Sequence, residues 1–255
     1  MIKIPEAVVG MINAGALFVL NDSGGKDSQA MRVALTRTIP AAQKLVVHAT
    51  LGDIEWPGAL EHAEAGAVRD NIPFIVAKAT KTFFEMVDHR FKTRPESPCW
   101  PSSACRQCTS DLKRGPIERE IRRELKRRGL KTVVNCVGIR ADESNDRAKL
   151  CDWKRSERNS KAGRDWWEWL PIYRYSRSDV FAAISAAGES PHWAYDAGND
   201  RLSCMFCIFG SKNDLRNAAV YSPDLYRQYV LKERETGYTM HMSRLPLPQL
   251  TGIDV

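Results

Sequence analysis

The sequence predicts an α/β fold: a mostly parallel, doubly wound sheet with helices on both faces, and a cysteine-bearing helical portion toward the C-terminus. Three observations lead there. Short apolar runs of strand length recur along the chain, segments of helical period separate them, and a Gly/Ser turn joins the first run to the first helix.

The elements follow in order. Ala16-Leu17-Phe18-Val19-Leu20 reads as a buried strand, and Gln29-Ala30-Met31-Arg32-Val33-Ala34-Leu35 beyond the turn has helical composition. Residues 45–49 make a second strand. Pro57, tolerated in a first helical turn, opens an Ala/Glu-rich helix to about residue 70. Residues 74–77 form a third strand and residues 82–90 a helix. Residues 94–108, rich in Pro, Ser and Cys, have no period and read as a functional loop. Ile117, Ile121 and Leu125, four apart, give the next helix its core stripe, with Gly129 as its C-cap. Residues 132–137 are a fourth strand. Residues 178–187 form a helix with Val180, Phe181 and Ile184 on one face, stopped at Gly188. In sheets of this kind the ligand crevice lies beyond the carboxyl ends of the strands, where the first loop falls.

Composition bounds the rest. The 255 residues are 43% apolar and 27% charged, which excludes a disordered chain and allows one large domain or a domain with an appendage. No apolar run is long enough to cross a bilayer and no signal-peptide pattern is present, so a cytoplasmic location and no membrane partner are expected. The net charge of +7 points to an anionic partner. Its excess lies in residues 114–128, where a solvated helix face balanced by Glu118, Glu120 and Glu124 is the competing explanation, and in residues 140–164, which lack a helical period.

The segment Asn21-Asp22-Ser23-Gly24-Gly25-Lys26-Asp27-Ser28 sits between strand and helix. Its glycines let backbone N–H groups close around a phosphate. Lys26 adds charge, Ser23 and Ser28 add hydroxyls, and the helix N-terminus adds its dipole. The spacing is not that of a Walker A loop. Arg140 and Arg147 offer planar forks to phosphate or sulfate, or surface ion pairs with Asp142, Glu143 or Asp146. Asp53 can hold ribose or Mg²⁺, or cap the helix after Pro57. Cys105-Arg106-Gln107-Cys108 and Cys204-Met205-Phe206-Cys207 are two Cys-x-x-Cys pairs, a four-thiolate set for zinc or an iron–sulfur cluster that spacing alone does not separate. Cys99 is a substitute ligand, a reactive thiol or incidental, Cys136 is a core residue, and Cys151 is unassigned. Trp166-Trp167-Glu168-Trp169 and Tyr173-Arg174-Tyr175 follow a basic run, a mixture suited to nucleic acid or to packing a core or lid.

Ser-Gly-Gly-x-Asp-Ser after a strand resembles the PP-loop of ATP pyrophosphatases and of the phosphoadenylylsulfate (PAPS) reductase family. Asp53-Ile54-Glu55-Trp56-Pro57 looks like that family's acidic strand-end segment, and Gly138-Ile139-Arg140-Ala141-Asp142-Glu143-Ser144 with Arg147 resembles its arginine loop. The resemblance implies a PP-loop domain over residues 1–210, cluster site included, with a helical extension and tail over residues 211–255. It also implies an adenylyl nucleotide, ATP or PAPS-like, with Mg²⁺ on Ser23, Gly24, Gly25, Lys26, Asp27, Ser28, Asp53, Arg140 and Arg147. Lys26, Asp27 and Arg140 are the catalytic candidates. The placement of the cysteine pairs is similar to that of the [4Fe–4S] ligands of adenylylsulfate reductases, although those enzymes have adjacent cysteines in the first segment. It therefore favours a [4Fe–4S] cluster over Zn²⁺ on Cys105, Cys108, Cys204 and Cys207.

Sulfonucleotide reductases attack with a cysteine in a C-terminal tail, whereas residues 246–255 contain none. A reductase reaction would then need Cys99 or Cys151. The expected activity is accordingly adenylation by ATP for sulfur transfer, with nucleic acid as a candidate acceptor through residues 140–175 and a sulfur donor or partner protein beside it. A reductase with a displaced cysteine and a non-catalytic, cluster-bearing subunit are the alternatives.

Overall fold

A computed structural model describes residues 4–255. The chain forms two compact units that interleave along the sequence. The first comprises the chain up to Ala49, Gly58–Ala77 and Ile117–His192; the second comprises Thr50–Pro57, Lys78–Pro116 and Trp193–Val255.

The first unit is built on a sheet. In chain order its elements are α1 (Glu6–Asn13), β1 (Leu17–Asn21), α2 (Lys26–Thr36), β2 (Lys44–Thr50), α3 (Ala59–Arg69) and β3 (Phe74–Lys78). The second unit's α4 (Phe83–Thr93) intervenes, and then come α5 (Gly115–Arg128), β4 (Thr132–Val137), β5 (Trp153–Arg155), β6 (Asp165–Trp169) and α6 (Arg177–Ala186). The strand order is β3-β2-β1-β4-β6-β5, with β1 parallel to β2 and β4, β4 parallel to β6, and β5 antiparallel at the edge.

Successive residues of a strand face opposite sides, so β1 serves two cores. Phe18 and Leu20 pack with Met31 and Leu35 of α2 and Val180 and Ile184 of α6, while Leu17 and Val19 pack with Ile121 and Leu125 of α5. Each such side chain contributes about 1.5–3 kcal/mol on full burial. This apolar-on-both-faces pattern is why β1 reads as a continuous hydrophobic run, and the expected doubly wound sheet is the observed one.

One detail differs from expectation, and another falls on the packing side of an open alternative. The helix after Pro57 begins at Ala59, because Gly58 takes a left-handed backbone (φ +85°) as its N-cap. Residues 165–169 form a strand with Trp166 and Trp169 fully buried on opposite faces, so neither ring is available to stack on bases. Trp167 stacks instead on Trp153, with ring centroids 5.0 Å apart. The adjoining charges are paired, Lys154 with Glu168 and Arg155 with Asp165 and Glu157. The arginines of α5 are likewise bridged by its own carboxylates, Arg122 to Glu118, Arg123 to Glu120, and Arg127 and Arg128 to Glu124.

The second unit is helical. It contains α4, a π-helical stretch Cys108–Arg114, α7 (Lys212–Tyr221), α8 (Pro223–Thr236) and α9 (Leu247–Thr251). Its core gathers Phe83, Met86, Trp100, Phe206, Tyr226, Tyr229 and Leu247. Capping boxes at Thr82 and Ser211 start α4 and α7 by closing orphan N–H groups. Among the described residues, no helix is long and apolar enough to cross a membrane.

Candidate functional site

In the first unit the chain leaves β1 at Asn21, whose side-chain amide donates to Asn135 Oδ1 and to the Cys136 carbonyl, both at 2.7 Å, tying the strand end to β4. Asp22, 2% exposed, then organises the turn. Its Oδ1 accepts from the Gly24 amide at 2.9 Å and from the Ser28 hydroxyl at 2.8 Å, and its backbone oxygen contacts His48 Nδ1 at 2.8 Å. Ser28 Oγ in turn accepts from the Ser23 amide at 3.1 Å. The turn needs glycine at 24: φ is +76°, and a Cβ there would lie 2.4 Å from the Ala59 carbonyl oxygen.

Gly25 is the N-cap of α2 and supplies no side chain to cap it, so the helix presents its first amides and its positive dipole end at the loop. Lys26 begins the helix buried at 4% exposure, with Nζ 3.4 Å from Asp27 Oδ2. Burial pushes its pKa below the usual lysine range, partly offset by Asp27, while Arg140 and Arg177 add to the lowering.

Arg140 reaches the same carboxylate from the loop after β4. Gly138 permits the approach, since a Cβ there would meet the Asp27 carbonyl at 2.9 Å. Arg140 Nε donates to Asp27 Oδ1 at 2.6 Å, and Nη1 pairs with Asp142. Burial opposes its charge, but these partners outweigh burial and raise its pKa. The Arg140 amide donates to Glu143 Oε2 at 2.9 Å, and Glu143 also pairs with Arg147. Ser23, Gly24, Gly25, Lys26, Asp27, Ser28 and Arg140 are thus gathered, while Arg147 stands one ion pair further out. Asp53 lies in the second unit, exposed in a 3₁₀ turn, and does not cap α3.

A supporting network escaped the sequence. Arg32, 1% exposed on α2, pairs through Nη2 with Glu189 Oε2 at 2.5 Å and through Nη1 with Asp70. It also donates to the Gly66 carbonyl at 3.2 Å and lies 3.5 Å from Asp22 Oδ2. Burial opposes its charge, yet these carboxylates raise its pKa. Only Gly66, lone in an Ala/Glu-rich helix, signalled it: a Cβ there would meet the guanidinium at 2.6 Å.

In the second unit the cysteines divide. Cys105 is exposed, with Sγ 3.3 Å from Arg90 Nη1. Cys108 opens the π-helical stretch, and burial raises its pKa. Cys204 is tied by an isolated bridge to Glu55, and the Met205 amide donates to Ile54 O at 2.9 Å. The Cys204 thiol hydrogen-bonds the Cys207 sulfur. Together with the Phe209 amide and the nearby Lys113 ammonium, this bond overcomes burial and lowers Cys207 to about 5. The same bond and burial raise Cys204. Among the described residues, no three His, Cys, Asp or Glu side chains converge to metal-holding distance. Cys99 lies in the helical core, its pKa raised by burial; Cys136 is buried in the sheet as expected; Cys151 is exposed.

Tyr229 of α8 is fully buried, with a hydroxyl that has no hydrogen-bond partner among the described residues. Such an orphaned group costs about 1–3 kcal/mol.

A mostly parallel sheet with a Ser-Gly-Gly-x-Asp-Ser loop between its β1 strand and the following helix defines an α/β protein of the PP-loop kind. The chain belongs to the phosphoadenosine phosphosulfate reductase domain family, whose sequence model matches residues 18–209. Among curated proteins it is 25% identical over 185 residues to an uncharacterized 37.8 kDa protein of Escherichia phage 186, covering 72% of this chain and 52% of that one. It is 23% identical over 216 residues to an uncharacterized protein of Methanocaldococcus jannaschii, covering 85% and 47%. The chain spans about half the length of the curated relatives it matches. Among solved structures it is similar to a PAPS reductase from Candida auris in a phosphate complex, with 15% identity, TM-score 0.51 and coverage of 78% of this chain and 86% of that one. An NH3-dependent NAD synthetase from Campylobacter jejuni aligns at 14% identity and TM-score 0.43 over 90% of both chains. At this identity the likeness to the reductase structure shows the fold alone.

Proposed function

We propose that the chain binds an adenylyl nucleotide at the loop after β1 and acts as an ATP-dependent adenylating enzyme in sulfur transfer. One observation carries this reading: an anion cradle made of the uncapped α2 N-terminus, the Gly24-Gly25 turn and buried Lys26, with Arg140 sharing Asp27. The phosphate held by the Candida auris reductase is in keeping with it.

In this reading a substrate oxygen attacks the α-phosphorus of ATP, its new P–O bond replacing the bond to pyrophosphate, and a sulfur nucleophile then displaces AMP. Backbone amides and Lys26 neutralise the departing pyrophosphate, and Arg140 faces the charge that develops at the α-phosphate. Asp27 holds Lys26 and Arg140 in register. Mg²⁺ is the expected counterion of the polyphosphate.

The donor set suits a thiolate-bound centre by its chemistry, soft donors on two turns, but among the described residues no three of them converge to metal-holding distance. Cys105, Cys108, Cys204 and Cys207 would hold it. A [4Fe–4S] cluster bound there would carry sulfur or fix the two loops, and zinc would do only the latter.

Release of AMP and pyrophosphate from ATP, assayed with and without DNA or RNA as acceptor, tests the proposal. No release from cluster-replete protein under any of these conditions overturns it. Sulfite release from PAPS with thioredoxin, abolished by Cys151→Ser, would support the reductase reading in its place. Cys151 is the residue to vary because it is exposed while Cys99 is locked in a core.

A further inference from the structure

A histidine of the first unit stands beside the loop after β1 and has not entered the cradle. Gln29 closes the first turn of α2, its amide donating to the Gly25 carbonyl at 2.9 Å. His62 closes the first turn of α3 in the same way, its amide donating to the Gly58 carbonyl at 2.8 Å. Gly24 presses on the start of α3, 2.4 Å separating the position of a Cβ from the Ala59 carbonyl oxygen. Side chains on a helix lean back toward its N-terminus, so Gln29 and His62 both lean toward the loop.

The hydrogen bonds of Gln29 decide which nitrogen of His62 carries the proton. Gln29 Nε2 donates to Glu189 Oε2 at 2.9 Å and to the Ser190 carbonyl at 3.0 Å, and neither oxygen has a proton to give back. Gln29 Oε1 is therefore the atom 3.2 Å from His62 Nε2, and Nε2 is the donor. The lone pair is left on Nδ1, which has no hydrogen-bond partner among the described residues. The ring is half-buried, and the His192 ring meets it edge-on, with centroids 5.6 Å apart. Burial, with Arg32 and Arg69 acting alongside it and Asp22 and Glu189 against, pulls the His62 pKa below the ordinary histidine range. The empty site thus holds a neutral ring of fixed tautomer. A lone pair on Nδ1 repels a phosphate oxygen, whereas a proton there donates to one.

We propose that His62 is a phosphate ligand of the loop after β1, taking a proton from solvent onto Nδ1 as the polyphosphate of a nucleotide enters. The inference rests on the reading that this loop binds an adenylyl nucleotide. The negative charge of the polyphosphate favours the imidazolium, and by linkage nucleotide binding tightens as pH falls. The gain levels off once pH drops below the pKa of the empty site, where the ring is already charged. Gln29 acts through His62 and is a positioning residue.

The test titrates the full chain with Mg²⁺ and AMPCPP, the α,β-methylene analogue of ATP, by calorimetry at pH 7. Buffers of different ionisation heat count the protons taken up on binding. Wild type should take up about half a proton more than His62→Gln, and subtracting the variant removes the nucleotide's own protonation. His62→Gln should bind AMPCPP about tenfold more weakly near pH 6, the gap closing toward pH 9. Nitrogen NMR of the wild-type histidines keeps the proposal testable should the variant fold poorly. It should show His62 as the Nε2–H tautomer when empty and doubly protonated with AMPCPP bound. An equal proton count in His62→Gln, or a ring that stays neutral in the complex, overturns the inference and leaves the nucleotide site standing. Loss of AMP formation in His62→Gln with binding and proton count unchanged would make the residue a base acting on the acceptor, which also overturns it. If wild type does not bind AMPCPP, the nucleotide reading falls and the inference with it.

Discussion

The loop after β1 closes on itself. Asp22 takes the Gly24 amide and the Ser28 hydroxyl, Ser28 takes the Ser23 amide, and all of these groups lie within seven consecutive residues. The cysteines of the second unit lie on distant segments, Cys108 on a π-helical stretch and Cys204 and Cys207 on a turn, and the Tyr229 hydroxyl on α8 has no hydrogen-bond partner among the described residues. A cradle whose polar groups satisfy one another keeps its shape before ligand arrives. The thiols are joined by the bond between Cys204 and Cys207, and no three metal-capable side chains converge there among the described residues.

The comparison can be broken at its strongest point first. Lys26→Met removes the buried ammonium from the cradle and is expected to cut AMP formation about 10²–10³-fold, the cost typical of losing one charge-stabilising donor. Because burial lowers the Lys26 pKa, the fold disfavours its charge, and the variant should be as stable as wild type or more so at neutral pH, as thermal melts would reveal. A destabilised Lys26→Met chain would mean that the lysine holds the loop together and that the cradle is not self-closed.

Gly24→Ala attacks the closure itself. A left-handed backbone and a carbonyl 2.4 Å from the new Cβ should strain the loop by about 1–3 kcal/mol, weakening nucleotide binding by roughly 10–100-fold in calorimetry. On the other side of the comparison, Cys204→Ala removes the hydrogen bond that depresses Cys207. In the metal-free wild type, iodoacetamide labelling of Cys207 should persist down to about pH 5, and in the variant its midpoint should move up toward the ordinary thiol range. An unchanged midpoint would assign the thiolate to Lys113 and the Phe209 amide instead.

The smallest effect lies outside both sites. Hydrogen bonds from Arg127, against some burial, and then from Arg128 lower Glu124 to about 2. A depressed carboxylate stabilises the fold above its unfolded pKa, and that contribution is lost as pH falls from about 4.5 toward 2. Arg127 is 69% exposed and screened by solvent, so Glu124→Gln should cost only about 0.5 kcal/mol at pH 7 and nothing near pH 2 in urea titrations.

Much of the first unit was legible because its signals are local. The apolar run of β1, the Gly24-Gly25 turn and the helix behind it lie in one stretch, and Arg140 stood out because its loop resembles the family's arginine loop and its guanidinium suits an anion. Strand β6 was left open between core packing and a nucleic-acid surface because Trp166-Trp167-Glu168-Trp169 buries rings on both faces. A strand between two others shows no polar alternation to distinguish it from a sticky surface. Asp53, whose segment follows β2 directly, is grouped with the second unit.

By itself the sequence determined what short-range chemistry determines: the sheet, the closed loop with Lys26 and Asp27, and the paired thiols. Tertiary structure alone decided which charges support that loop and which rings enclose Tyr229. Arg32 meets Asp70 and Glu189, and Tyr229 meets Phe83 and Phe206, across separations that no periodicity encodes. The physical reason is burial. A guanidinium is tolerated in a core only where chain segments distant in sequence bring it a partner, and the identity of that partner is a property of the packed molecule.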